Sequence, residues 1–262
     1  MDALQILPST TSHKHEALVP TLDIFARLGF LDLDLNLNHV VERGDSPDAI
    51  RRALAANGQR VWIVSGGWCD FFDRPPAIDA TFASVDRQAD LARAFGVDRL
   101  RLFFGRLSIE ACSAEAIDRA AAQIRVVADR HPDLLLMFEN HDGASSRPDV
   151  CRMILDRVDR GNARLVFDPI NFEHRGVRTL PALETLRPCI AHVHLKGYAD
   201  GAFCGFGEGT VDLRPALRSL VDSGYRGAFT VEYEGAGDRT LRLYESVLRA
   251  RSALAALPAP AR

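Results

Sequence analysis

Four side chains that commonly bind metal ions come at the ends of four short apolar runs in the second half of the chain. They are Glu139, Asp168, His194 and Glu232. Carboxylate oxygens and an imidazole nitrogen suit Mn²⁺, Mg²⁺ or Co²⁺ better than a structural zinc site, which favours thiolates. A single acidic residue at the end of a strand is as readily explained as a helix N-cap. Four such residues at successive strand ends favour a site for one divalent metal ion.

The elements that must position these side chains alternate regularly along the chain. Short runs rich in Val, Ile, Leu or Phe are too short to be helices and predict buried strands. These runs lie at 4–7, 31–37, 61–64, 99–104, 134–138, 164–167, 190–195 and 228–231. Amphipathic patterns with start and stop signals predict helices at 46–57, 77–95, 113–130, 148–158, 213–222 and 239–254.

Eight strands that alternate with helices predict a parallel sheet, and eight units suggest that it closes into one (β/α)8 TIM barrel. The length of 262 residues suits such a barrel, and we predict a single domain over 1–262 with a frayed tail at 257–262. The longest irregular stretch is predicted at 197–210. A doubly wound open sheet is the alternative, but no GxGxxG motif follows the first strand. In a closed barrel the C-terminal ends of the strands build the active site, so the four metal-binding residues should converge there.

Composition and charge exclude several other classes of protein. A net charge of −3 and a pI of about 6.2 give no basic surface for nucleic acid or an anionic membrane. No apolar stretch is long enough to span a membrane. The five cysteines are odd in number and form no CxxC pair, which indicates reduced thiols. Together with an N-terminus that does not resemble a signal peptide, these features predict a cytoplasmic protein.

The run at 190–195 carries further polar residues. His192 and His194 alternate with Val193, so both should point into the barrel. Only the residue nearer the C-terminal rim can join the metal, which favours His194 and leaves His192 as a hydrogen-bonded residue of a deeper layer. Lys196 points inward beyond His194 and is predicted to contact substrate.

Five motifs in order, FENH, FDPIN, HVHLKGY, GFGEGTVDL and GYRGAFTVEYEG, resemble those of the xylose-isomerase-like barrel superfamily. The resemblance covers essentially the whole chain and is densest from 134 to 235. This superfamily includes sugar and sugar-phosphate isomerases, ketose 3-epimerases, inosose dehydratase, 3-dehydroshikimate dehydratase and endonuclease IV. The resemblance implies the same four metal ligands and places Glu208 of the GEG motif in a loop over the site. In the epimerases the two metal-binding glutamates exchange a proton with the substrate carbon, and those roles would fall on Glu139 and Glu232.

A second resemblance is to the 3-dehydroshikimate dehydratases. It rests on an arginine, a Glu-x-His element and a His-x-Lys element, which here are Arg101, Glu139 with His141, and His194 with Lys196. His39, a few residues past the second strand, also fits. In that interpretation His141 is the base, Lys196 supports departure of the hydroxyl group, and Arg101 binds the substrate carboxylate.

The leading prediction is a metal-dependent sugar isomerase or epimerase that removes a proton next to a carbonyl group through a metal-stabilised enediolate. The first alternative is a metal-dependent dehydratase of the 3-dehydroshikimate or inosose type. The second is a non-catalytic barrel that binds sugar or metal, or a subunit that depends on a partner. Endonuclease IV is disfavoured, because it needs more metal ligands and a positively charged DNA face.

The expected substrate is a small sugar, a cyclic polyol or a keto acid. Trp68 could stack on its ring, and Asn171 could bond a hydroxyl group. Some epimerases carry a histidine at the position of Asn171, so those subfamilies are less well matched. The resemblance also suggests a homodimer or a homotetramer.

Overall fold

Ten strands are defined in the computed structural model, which describes residues 4–257. Eight of them form the main sheet: β1 (Ile6–Pro8), β2 (Asp32–Asn36), β3 (Arg60–Ser65), β4 (Arg99–Phe103), β5 (Leu135–Glu139), β6 (Ala163–Phe167), β7 (Ile190–Leu195) and β10 (Phe229–Val231). The other two, β8 (Gly197–Ala199) and β9 (Ala202–Cys204), pair with each other as an antiparallel hairpin.

The main sheet is parallel, and its strands follow one another in chain order from β2 to β7, then β10 and β1. A parallel bridge between Ser9 and Asp34 joins β1 to β2 and brings the two edges of the sheet together. The register shifts twice, between Leu33 and Asp34 in β2 and between Leu165 and Val166 in β6. The predicted (β/α)8 barrel is therefore confirmed, with all eight predicted strands in the sheet.

Ten α-helices surround the described part of the sheet. They are α1 (Leu18–Arg27), α2 (Asn38–Val41), α3 (Pro47–Ala56), α4 (Ala77–Ala94), α5 (Ala114–Arg130), α6 (Pro148–Val158), α7 (Pro169–Glu173), α8 (Thr179–Leu186), α9 (Arg214–Asp222) and α10 (Arg239–Ala255). Ser46 and Ser113 cap α3 and α5, because their side chains accept hydrogen bonds from Ala49 N and Ala116 N. None of the helices within residues 4–257 is long and apolar enough to cross a membrane.

The sequence did not predict α1, α2, α7 and α8. The pattern of α1 is interrupted by Pro20 near its start, where proline is tolerated. The stretch at 197–210, predicted to be irregular, contains the β8–β9 hairpin. Of the predicted tail at 257–262, all residues after Leu257 lie outside the described residues.

Two apolar clusters hold the barrel together. The larger one lies between the sheet and the helices. The smaller one fills the barrel interior and consists of Leu7, Ile63, Met137, Val166 and Ala228. Inward-facing residues nearer the C-terminal ends of the strands are polar, so this apolar plug closes the floor beneath the candidate site.

Candidate metal centre and active site

The four predicted metal ligands meet at the C-terminal end of the barrel. One donor atom from each of Glu139, Asp168, His194 and Glu232 lies within 4.8 Å of the donor atoms of the others, and all four residues are buried. They are held by β5, β7 and the residues that directly follow β6 and β10. Parallel strands in register place their ends at one rim, which is why residues 93 positions apart in the chain come together. This cluster could bind a metal ion.

The orientation of His194 fits that interpretation. Its Nδ1 atom lies 3.5 Å from Glu139 Oε1 and 3.6 Å from Glu232 Oε2. Neither ring nitrogen has a hydrogen-bond partner among the described groups, although the ring is fully buried. A buried polar atom without a partner is costly. Three carboxylates and an imidazole form an oxygen-rich donor set of the kind that Mg²⁺ and Mn²⁺ accept. The residues present therefore fit a divalent ion.

Asp168 serves two purposes with its two oxygens. Its Oδ1 atom accepts hydrogen bonds from Ile170 N and Asn171 N and so caps α7. Its Oδ2 atom faces the cluster, 3.0 Å from Lys196 Nζ. Asn140 fixes the backbone of Asp168, because its amide accepts from Asp168 N at 2.9 Å and donates to Asp168 O at 2.8 Å. The helix-cap explanation and the ligand explanation of this residue are thus compatible.

Lys196 is a buried cation within the cluster. Besides Asp168, its ammonium group lies 3.8 Å from Glu232 Oε2 and 2.8 Å from Glu234 Oε1, and it sits over the ring of Phe203. Burial by itself lowers the pKa of Lys196, but Asp168, Glu234 and Glu232 raise it well above the ordinary value. The lysine is therefore charged and contacts carboxylates of the predicted metal-ligand set.

Arg101 provides a second buried cation. Its Nε atom lies 3.3 Å from Glu139 Oε2, and its Nη1 atom donates to Gly66 O at 3.0 Å. Burial opposes ionisation of Glu139, but His194 and Arg101 hold the pKa of Glu139 well below its usual range. Asn171 donates to the other oxygen of Glu139 at 3.0 Å. Glu139 is consequently an oriented, ionised carboxylate.

The pKa values of Glu232 and His194 are both raised, but for different reasons. Burial raises the pKa of Glu232 to about 7, even though His194 and Lys196 oppose the shift. Burial lowers the pKa of His194, but the carboxylates of Glu232 and Glu139 outweigh it and raise the pKa to about 9. Both groups therefore hold protons near neutral pH that a bound cation must displace.

An aromatic wall formed by Trp68, Phe103 and His141 lies beside the cluster. Trp68 stacks on Phe103 with ring centroids 4.2 Å apart, and the edges of both rings meet His141 at 5.1 and 5.2 Å. The guanidinium group of Arg106 lies 4.0 Å from the Trp68 ring. Burial lowers the pKa of His141, which keeps it neutral near pH 7. His141 can therefore accept a proton.

These residues share one cavity of about 110 Å³. Six of the predicted site residues line it directly: Trp68, Arg101, Glu139, His141, Lys196 and Glu232. Asn171, Asp168 and His194 contact these residues from below. His192 points inward in the layer beneath, where its Nε2 atom is 2.8 Å from Thr230 Oγ1.

Two predicted substrate contacts point elsewhere. The carboxylate of Glu208 accepts from Arg242, Arg249 and Gly205 N, which ties the loop after β9 to α10. His39 is buried, with its Nε2 atom 3.3 Å from Thr10 O. A role for either residue in substrate binding stays a prediction.

Sequence reasoning missed several residues around the cavity. Lys14, Asn36, Asn38 and Glu234 line it. Asp34 is buried beneath it, with Oδ2 4.0 Å from His194 Nε2. The available signal was alternation: polar residues at 32, 34 and 36 in the second strand, and at 232 and 234 after the last one, share a face. Lys14 follows a 3₁₀ turn (Thr10–His13) that the sequence pattern did not indicate.

Comparison with known proteins agrees with this architecture. The family model described as xylose isomerase-like TIM barrel matches residues 22–257. No curated protein sequence matches the chain. Among solved structures, the probable 3-DHS dehydratase AsbF from Bacillus anthracis superposes with a TM-score of 0.77 at 17% identity, over 94% of this chain and 98% of that one.

Two further structures match equally well. D-allulose 3-epimerase from Methylomonas sp. gives a TM-score of 0.78 at 17% identity, over 96% of this chain and 98% of that one. A xylose isomerase-like TIM barrel protein from Mycobacterium smegmatis, in complex with magnesium, gives 0.77 at 19% identity, over 97% and 98%. Such low identities show the shared fold alone, whereas the family model covers most of the sequence. The chain belongs to the xylose isomerase-like TIM barrel family.

Proposed function

We propose that this protein is a divalent-metal-dependent enzyme that moves a proton on a carbon next to a carbonyl group, as a sugar isomerase or epimerase does. The observation that carries the proposal is the buried cluster of Glu139, Asp168, His194 and Glu232, whose donor atoms lie within 4.8 Å of one another at the floor of a cavity. When bound, a divalent ion supplies a positive charge that stabilises the negative oxygen of an enediolate.

The chain's own carboxylates do the proton transfer in this proposal. Glu139 and Glu232 both line the cavity, so a substrate carbon held there can be reached by either. An epimerase removes the proton from one face of the carbon with one carboxylate and returns a proton to the other face with the second. Arg101 and Asn171 fix Glu139 through contacts of 3.3 and 3.0 Å. Fixed geometry of this kind is what efficient proton transfer needs.

The cavity supports a small substrate. Its volume of about 110 Å³ is well below the several hundred Å³ of typical drug-sized pockets. Its lining mixes amides, carboxylates and ammonium groups, and these can donate to and accept from the hydroxyl groups of a sugar. Mn²⁺, Mg²⁺ and Co²⁺ are all compatible with the donor set.

A second candidate is a metal-dependent dehydratase, and a specific arrangement favours it. His141 lines the same cavity as Glu139 and Lys196, and Arg101 lies on the same wall. A neutral imidazole can remove the proton next to the carbonyl, while the ammonium group of Lys196 can give a proton to the β-hydroxyl, which departs as water. Arg101, Lys196 and Lys14 together suit an anionic keto acid better than a neutral sugar.

Metal analysis of the purified protein, paired with activity assays after chelation and Mn²⁺ return, tests the proposal. We expect about one ion per chain and restored activity on a ketose panel, with deuterium from D₂O entering a substrate carbon. Activity on 3-dehydroshikimate, read as the ultraviolet absorbance of a new conjugated acid, would select the dehydratase instead. Absence of bound metal and of any response to Mn²⁺ would refute both and leave a binding barrel.

A further inference from the structure

A buried carboxylate lies beneath the candidate metal centre and outside its predicted ligand set. Asp34, on β2, has no exposed surface. Its Oδ1 atom accepts a hydrogen bond from Ser65 Oγ at 2.7 Å. Its Oδ2 atom has no hydrogen-bond partner within residues 4–257. Leaving a buried carboxylate oxygen unpaired costs free energy, so the group that this oxygen faces is informative.

Oδ2 faces the side of His194 that points away from the ligands. The Nε2 atom of His194 lies 4.0 Å from Asp34 Oδ2, while its Nδ1 atom lies 3.5 Å from Glu139 and 3.6 Å from Glu232. The ring is thus oriented with Nδ1 towards the carboxylate cluster. An imidazole that binds a metal through Nδ1 is neutral and carries its proton on Nε2. A buried N–H group requires an acceptor.

We propose that Asp34 is a positioning residue, which accepts the Nε2–H of His194 and thereby fixes the tautomer and orientation in which Nδ1 binds the ion. This inference rests on the metal site of the proposed function. A shift of about 1 Å brings the two atoms into hydrogen-bond range. Ser65 holds the other oxygen of Asp34 in place, so the carboxylate is already directed at the histidine.

The strand geometry around Asp34 is consistent with this role. The register between β2 and β3 shifts immediately before Asp34, and the bridge to Ser9 that joins β1 to β2 is made at Asp34 itself. Bulges re-aim side chains and are frequent next to active sites. Here the extra residue is Trp62 of β3, and after the shift Asp34 pairs with Ile63, an apolar residue of the barrel interior. Asp34 is therefore a carboxylate at a level where the neighbouring strand is apolar.

Calorimetric titration with Mn²⁺ tests the proposal with three variants. Asp34→Val removes the acceptor, and we expect Mn²⁺ affinity to fall 10- to 100-fold, as is typical when a carboxylate behind a metal-bound histidine is lost. Asp34→Asn keeps an acceptor oxygen without its charge and should lose less. Asp32→Asn is the matched control on the same strand, because Asp32 pairs with the exposed Arg60 and should leave affinity unchanged.

Nitrogen-15 NMR of the histidine rings in Mg²⁺-loaded protein reports which ring nitrogen of His194 carries the proton. A purely structural role of Asp34 would not change that signal. His194→Gln assigns the signal, and we expect the proton on Nε2 in the unsubstituted protein and a changed Nε2 shift in Asp34→Asn. If Asp34→Val does not fold, the Asp34→Asn result alone tests the proposed role of Asp34.

Unchanged Mn²⁺ affinity in both Asp34 variants, or a proton on Nδ1 of His194 in the loaded protein, would overturn the inference alone. Failure of the unsubstituted protein to bind Mn²⁺ would overturn the proposed function, and this inference with it.

Discussion

Metal binding at this cluster should strengthen steeply as pH rises, because two of the four ligands hold protons near neutral pH. In the absence of an ion, the pKa of His194 is raised to about 9 by Glu232 and Glu139 against the effect of burial. Burial raises the pKa of Glu232 to about 7. A metal ion binds the deprotonated forms, so each proton must leave before or as the ion binds.

The expected magnitude follows from these values. At pH 7 a ligand with a pKa of about 9 is deprotonated in about one molecule in a hundred, which weakens binding about 100-fold, or about 2.7 kcal/mol. Between pH 7 and 9 the affinity should therefore rise about tenfold per pH unit. Below pH 7, protonation of Glu232 adds a second proton and steepens the dependence further.

Calorimetric titration with Mn²⁺ at pH 6.5, 7.5 and 8.5, in buffers of different ionisation enthalpy, counts the released protons. We expect about one proton per ion at pH 7.5 and between one and two at pH 6.5. His192→Asn is the control: the His192 ring packs edge-on against His194, but its Nε2 atom pairs with Thr230 and with none of the predicted ligands, so its loss should leave the slope intact. A pH-independent affinity, or an unchanged slope in His194→Gln, would refute the reasoning.

Three further predictions concern turnover, stability and thiol chemistry. Glu139→Gln and Glu232→Gln should each reduce kcat at least 100-fold without loss of fold, because each removes a proposed proton-transfer group. The surface variant Glu115→Gln should keep full activity. An active glutamine variant at Glu139 or Glu232 would contradict the proton-transfer roles. Chelation should lower Tm by about 5–10 °C, since an ion at 100 times its Kd stabilises by about 2.7 kcal/mol, but should leave the far-ultraviolet circular dichroism unchanged; unfolding on chelation would mean that the site is structural. Of the five thiols, only the partly exposed Cys112 and Cys204 should react quickly with Ellman's reagent. Burial raises the pKa of Cys69 to about 12, and Cys151 and Cys189 are enclosed in the fold. Rapid reaction of all five thiols would contradict the fold.

Apolar periodicity was enough to predict the barrel and the cluster of Glu139, Asp168, His194 and Glu232 at its rim. The apolar side chains of eight short runs are buried only if the sheet is covered on both faces. Residues at the C-terminal ends of parallel strands then lie at one rim. This is why Glu139 and Glu232 could be paired although they are far apart in the chain. Asp168 was located by the same rule, and it also caps α7, which is the alternative that an acidic residue at a strand end allows.

Other features depend on tertiary context that local pattern does not carry. The alternation in the second strand indicates that Asp34 shares a face with Asn36, but only the folded barrel shows that it lies 4.0 Å from His194. Glu208 was placed over the site by its motif, yet Arg242 and Arg249 on the last helix draw its carboxylate towards α10. The partners of a long side chain depend on which groups the fold brings within its reach, and the spacing of residues in the sequence does not specify them.

The position of Lys196 leads to a last prediction, in which binding and turnover move in opposite directions. Its ammonium group lies 3.0 Å from Asp168 Oδ2 and 3.8 Å from Glu232 Oε2, two carboxylates that would hold the ion. The lysine repels a divalent ion there. Repulsion between charges a few ångströms apart amounts to a few kcal/mol even at an effective dielectric constant of about 20. Lys196→Met should therefore bind Mn²⁺ about tenfold or more tightly.

The same variant should turn over more slowly, because the lysine is positioned to contact substrate in the cavity that Glu139 and Glu232 line. Lys14→Met is the matched control: Lys14 is a half-buried cation of the same cavity that has no ion pair with the ligand set, so its loss should change Mn²⁺ affinity less. Measured by calorimetry and steady-state kinetics, weaker Mn²⁺ binding in Lys196→Met would mean that the ammonium group supports the carboxylate geometry and does not compete with the ion. Tighter binding with slower turnover would assign to Lys196 a role in catalysis that is separable from metal binding.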